Sequence, residues 1–122
     1  MAVCDSLRKA GLNEDDLGSA ELVLAEVLNN IVEHAYCRRS GHVEMTVTLR
    51  PDGLYCEVRD HGDHMPQGRP PNLPPPRIDP PRQLPEGGFG WHIIRSLTTH
   101  LGYRQQDGWN ALSFVMPLTG FD

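Results

Sequence analysis

The stretch "LAEVLNNIVEHAY", residues 24–36, sets a carboxylate, an amide and an imidazole at regular spacing. On a helix, Glu26, Asn30 and His34 stand at i, i+4 and i+8 and share one row. Leu24, Val27, Leu28, Ile31 and Ala35 fall on a narrow apolar arc beside it. Each step of four residues drifts about 40° toward that arc at 3.6 residues per turn. Glu26 is therefore expected well out on the polar side, and His34 at the core boundary. Asparagine costs helix propensity, and here two stand side by side in mid-helix. Asn30 offers an oxygen to a hard cation, and Glu26 one turn earlier can take a proton from a hydroxyl or water. A solvated polar flank would look the same, so the row decides nothing alone.

Two further stretches carry chemistry. In "VRDHGDHMP", residues 58–66, Asp60 closes a strand-like run and Gly62 stands two residues later. A carboxylate there can accept a hydrogen bond from an exocyclic amino group such as that of adenine. The glycine lets a flat ring approach the backbone. Asp60, His61, Asp63 and His64 are also metal-binding types. No further ligand cluster of recognisable spacing accompanies them, and they read as surface histidines beside loop acids. In "LPEGGFGWHIIRSL", residues 84–97, three glycines occupy four positions ahead of an amphipathic run. That is either a phosphate cradle opening onto a helix or a flexible joint.

The elements that must position these groups can be read from periodicity and punctuation. "VCDSLRKAG" reads as a short helix stopped by Gly11, and Asn13 can cap a second helix that runs to about Cys37. "HVEMTVTLR" and "LYCEVRD" alternate around "PDG" at 51–53 and make a hairpin. Nine of the eleven prolines lie in residues 62–88, a long irregular loop that in a compact domain is either a functional lid or disordered. A helix from about Gly90 to His100, stopped by Gly102, precedes two strands at roughly 101–106 and 109–117. The order α-α-β-β-loop-α-β-β predicts an α+β two-layer sandwich, with helices on one face of a mostly antiparallel sheet.

Length and composition bound the function. The 122 residues suit a single domain, and a net charge of -5 without a basic patch argues against nucleic acid as a partner. Three cysteines without a CxxC pair point to reduced thiols, and no run has the length of a membrane span or a signal peptide. A cytoplasmic location is the expectation.

In order and spacing, the three stretches resemble the N, G1 and G2 boxes of the GHKL ATPase/kinase superfamily (the Bergerat fold). Within it they are most similar to the anti-sigma factor serine/threonine kinases, over about residues 5–118. The resemblance implies ATP and Mg2+ as cofactors. It gives Glu26 the general-base role, Asn30 the magnesium, and His34 a place close to the nucleotide. It makes Asp60 the reader of the adenine amino group, with Gly62 under the ring. Gly88 and Gly90 become backbone contacts to the phosphates, Ser113 a hydroxyl in the adenine pocket, and the proline-rich stretch 66–86 the ATP lid.

The implied reaction moves the ATP γ-phosphate to a STAS-type anti-anti-sigma protein. A sigma factor and a homodimer are further implied partners. The alternative is a nucleotide-binding regulatory module with little or no kinase activity. The sequence departs from the family at Met65-Pro66, which comes after an extra His64, and at Trp91 and His92, where smaller or aliphatic residues are usual. The family's additional first strand has no counterpart before Val3.

Overall fold

The computed structural model describes residues 2–35, 41–63, 65, 68, 70 and 90–119. Helix α1 (Ala2–Lys9) ends ahead of Gly11, whose φ of 101° suits a residue without a side chain. Helix α2 (Glu14–Asn30) starts as expected at Asn13, whose side chain accepts from the Asp16 N–H at 2.8 Å. Three acids in the first turn complement the helix dipole. The α-helical ladder does not run to Cys37. It gives way after Asn30 to a π-helix over Ile31–Ala35, and residues 36–40 lie outside the described part. A π turn inserts extra chain into a helix and shifts the phase of every residue beyond it.

Strands β1 (Val43–Arg50) and β2 (Gly53–Asp60) form the expected hairpin. The turn itself is Pro51–Asp52, because Gly53 already pairs with Arg50. Helix α3 (Gly90–Leu97) is shorter than expected, with the Thr98 hydroxyl donating back to the Ile94 carbonyl at 2.7 Å. The chain then enters β3 (Thr99–Gln106) through an irregular pairing between Thr99 and Gly102, with His100 at a φ of 54°. Asp107 and Gly108, both with positive φ, make the tight turn into β4 (Trp109–Met116). The sheet order is β1-β2-β4-β3, antiparallel throughout.

The helices and one sheet face make the core. Leu54, Cys56 and Val58 of β2 and Leu112, Phe114 and Met116 of β4 alternate inward. They meet Leu17, Ala20, Val23, Leu24 and Val27 of α2, Ile31 of the π-helix, Ile94 of α3, and Cys4 and Leu7 of α1. The α+β sandwich is therefore the architecture observed. Trp91, which has no obvious role in the sequence, packs half-buried against this core. The buried Asp16 carboxylate accepts from the Thr119 N–H at 3.0 Å and its hydroxyl at 3.1 Å, tying the chain after β4 to the start of α2. No helix among the described residues is long and apolar enough to cross a membrane.

This packing supports two stability tests. A Cβ placed on Gly62 would lie 2.5 Å from the Ala35 carbonyl oxygen, a backbone atom, whereas one on Gly18 would meet nothing within 4 Å. Gly62→Ala is expected to cost about 1–3 kcal/mol in denaturant unfolding, by overpacking. Gly18→Ala is expected to stabilise α2 by roughly 0.5–1 kcal/mol.

Burial pushes the Cys56 thiol from 9.0 up to about 12. The folded chain thus keeps this proton where the unfolded chain releases it. The associated stability is intact below pH 9 and is lost as pH rises toward 12, by up to roughly 1.4 kcal/mol per pH unit. Alkaline unfolding curves of the wild type are expected to fall more steeply than those of Cys56→Ala; parallel curves would contradict the assignment.

Candidate functional site

The row on α2 is not left in solvent. Glu26 and Asn30 lie beneath the first residue of α3, and Glu26 is half-buried there. A Cβ on Gly90 would sit 2.8 Å from Glu26 Oε2 and 3.4 Å from Asn30 Nδ2. The expectation that Glu26 stands well out on the polar side is thus corrected by packing: α3 starts at the polar edge of α2, so close that a Cβ at residue 90 would displace the Glu26 carboxylate. The Asn30 amide nitrogen donates to the Glu26 carbonyl at 3.0 Å, one turn back. That bond fixes the amide and leaves its Oδ1 as the group to meet a cation. Glu26, Asn30 and Gly90 are therefore brought together at the junction of two helices.

Asp60 and Gly62 form a second cluster at the end of β2. Both are buried. The Gly62 N–H donates to Asp60 Oδ1 at 2.8 Å, so the carboxylate organises the turn beyond it. The Asp63 N–H donates to the Ala35 carbonyl at 2.9 Å, and Gly62 packs on the same residue. The turn is thereby seated on the last residue of the π-helix. One continuous helical run, α2 plus the π-helix, carries Glu26 and Asn30 on its way to the contact with the Asp60 turn.

One residue of this cluster escapes a reading of the sequence. Asn110 opens the inner face of β4, directly across from Asp60, and is 1% exposed. Its side-chain nitrogen reaches Asp60 Oδ1 at 2.9 Å, the Gly62 carbonyl at 3.0 Å and the Asp63 carbonyl at 3.4 Å. The signal available in the sequence is a polar residue at the head of an otherwise apolar inward row, Leu112, Phe114 and Met116. Ser113 is one register step out of phase with that row. It lies opposite Glu57 and is exposed on the outer face, with its hydroxyl near Gly102, so the structure does not bring it to Asp60. His34 lies within the π-helix, but its side chain falls outside the described part, as do Gly88 and most of the 66–86 stretch.

The approach to that stretch is anchored at two points. The Met65 N–H donates to the Tyr103 hydroxyl at 3.1 Å, and Arg95 of α3 donates to the carbonyl of the buried Pro70 at 3.0 Å. Outside the turn, the His61 ring lies 3.3 Å from that of Trp109, and the Arg59 guanidinium sits 4.6 Å over the same indole.

Chemically, the arrangement offers a half-buried carboxylate beside an amide oxygen at a helix start, and a buried carboxylate on a glycine turn. The first suits a hydroxyl nucleophile and a phosphate-bound cation, since Mg2+ commonly takes only one or two protein ligands. The second suits a planar group carrying a hydrogen-bond donor.

Comparison with known proteins gives the same direction. The serine-protein kinase RsbW of Bacillus cereus strain AH187 is 27% identical over 106 residues, covering 85% of this chain and 66% of that protein. RsbW of Bacillus thuringiensis subsp. konkukian strain 97-27 is 27% identical over 109 residues, with the same coverage. The chain thus spans just under two thirds of the length of these relatives. A blue-light activated histidine kinase of Erythrobacter litoralis, EL346, shares the fold with a TM-score of 0.61 at 23% identity, over 88% of this chain and 32% of that one. The histidine kinase-like ATPase domain family matches residues 1–116. The chain belongs to that family, within the GHKL superfamily that its three sequence boxes resemble.

Proposed function

We propose that this chain binds ATP with magnesium and transfers the γ-phosphoryl group to a serine or threonine of a STAS-type anti-anti-sigma protein. Phosphorylation would then decide whether a sigma factor is held, in the cytoplasm. The observation that carries this reading is the convergence of Glu26, Asn30 and Gly90 where α3 begins, on the same helical run that seats the Asp60 turn. The family match and the similarity to RsbW support it.

Magnesium, when bound, would supply charge neutralisation at the phosphates. Asn30 Oδ1 would hold it. Backbone N–H groups at the start of α3 would face the phosphates, where the helix dipole favours negative charge. Asp60 would accept from the purine amino group, over the turn that Gly62 keeps flat. Glu26 would take the proton as the partner's hydroxyl oxygen bonds to phosphorus and the bond to the ADP oxygen breaks. Positioning and charge neutralisation supply most of the effect in such transfers. Residues 66–86 would close over the nucleotide as a lid.

Asn30→Ala is expected to lose at least tenfold in Mg-ATP affinity by calorimetry, on the order of 1.4 kcal/mol. Unchanged affinity would sink the cation site. Glu26→Ala is expected to bind ATP about as well as wild type while phosphotransfer to a STAS protein drops by roughly 10²–10⁴. A wild-type rate in that variant would remove the base role. If the wild-type chain itself binds ATP without transferring phosphate, the regulatory-module reading takes precedence.

A further inference from the structure

We propose that Asn110 is a positioning residue that makes Asp60 selective for a purine bearing a 6-amino group, a role that rests on the nucleotide-binding reading above. Asp60 Oδ1 receives two donors, the Gly62 N–H at 2.8 Å and the Asn110 amide at 2.9 Å. Two donors converging on one oxygen fix the rotation of the carboxylate. Among the described residues, Oδ2 receives none. The carboxylate therefore presents a single oxygen to a ligand, and that oxygen only accepts. A 6-amino group donates to it. A 6-keto oxygen would place a second acceptor against an anion.

Asn110 is held by the turn as much as it holds it. Its nitrogen also reaches the Gly62 and Asp63 carbonyls at 3.0 and 3.4 Å, so the reading carboxylate and the glycine backbone beneath the ring are joined by one amide. Its neighbours on the same inward row are apolar, and it is almost wholly buried. A buried amide is costly without partners, and the Asp60–Asp63 turn supplies three acceptors to this one. Cross-strand pairing sets the two side chains directly opposite each other, within reach of a short amide. Selection by a fixed polar group is also the effective kind, because a mismatched ligand leaves that group unpaired.

The test is a cycle of two proteins and two nucleotides. Dissociation constants are measured for wild type and Asn110→Ala with ATP and with the triphosphate of purine riboside, which lacks the 6-amino group. Inosine triphosphate serves as the 6-keto probe. Wild type is expected to prefer ATP by roughly tenfold or more, the scale of a hydrogen bond to a charged group. In Asn110→Ala that preference is expected to collapse toward unity, with inosine triphosphate gaining relative to ATP. A merely structural role would weaken all three nucleotides alike and leave the ratios unchanged, which would overturn the proposal.

Asn110→Leu, close in volume and without a donor, is the second variant should the alanine form not fold. If neither folds, the wild-type side-chain amide resonance of Asn110 decides. It is expected to move more on adding ATP than on adding the purine riboside triphosphate, and equal movement would overturn the assignment. A wild-type chain that binds none of the nucleotides would bring down the nucleotide-binding reading itself, a result distinct from binding with unaltered ratios.

Discussion

The turn after β2 reaches the end of the helical run only because residue 62 has no side chain. The backbone of Ala35 stands where a Cβ would be, and the Asp63 N–H completes the junction on the same carbonyl. This contact sets the spacing between the two halves of the site. Asp60 belongs to the sheet and Glu26 and Asn30 to the helix layer. Three antiparallel ladders hold the sheet, and an apolar core shared by both layers, with Leu24, Val27 and Ile94 on one side and Leu54, Val58 and Phe114 on the other, presses the helices onto it. Apolar packing is non-directional, and the glycine contact fixes the fit of the layers at the end where the polar groups lie.

A second close approach works at the other side. Gly90 lets α3 begin against Glu26 and Asn30, which shields both side chains from part of the solvent. A carboxylate in bulk solvent interacts weakly with everything around it, since charges there are strongly screened. The sheltered place strengthens whatever Glu26 and Asn30 engage. Both approaches use the absence of a side chain to bring backbone or helix ends next to chemistry-bearing residues. They come from glycines in two different sequence boxes.

Much of this is legible in the amino-acid sequence alone. The apolar arc of α2, the hairpin, the cap at Asn13 and the order of elements along the chain come from periodicity and from short-range hydrogen-bonding rules. The clustering of Glu26 with Asn30 comes from helical spacing. What local rules miss depends on tertiary placement. Glu26 looks solvated because a helical wheel does not contain α3. Ser113 fits a pocket on paper because alternation gives two faces without saying which one the helices cover. The register shows that its face is the outer one. Asn110 is passed over for the same reason: its meaning lies in the residue opposite, and strand pairing is a long-range fact. The π-helix leaves no mark in composition, since Ile31–Ala35 reads as ordinary helix.

That π turn has a consequence for the chain's tolerance of length change. Upstream of it, Leu24 and Val27 keep the apolar face on the sheet; at its last residue, Ala35 offers its carbonyl to the Asp60 turn. Ordinary winding would carry Ala35 to a different azimuth. The wide turn is a spacer that lets one rod satisfy two aims of different phase. A deletion of one residue between positions 31 and 35 would leave hydropathy and helix content nearly untouched, and would still unhook the sheet's turn from the rod. The length of this five-residue segment is therefore constrained more tightly than its composition.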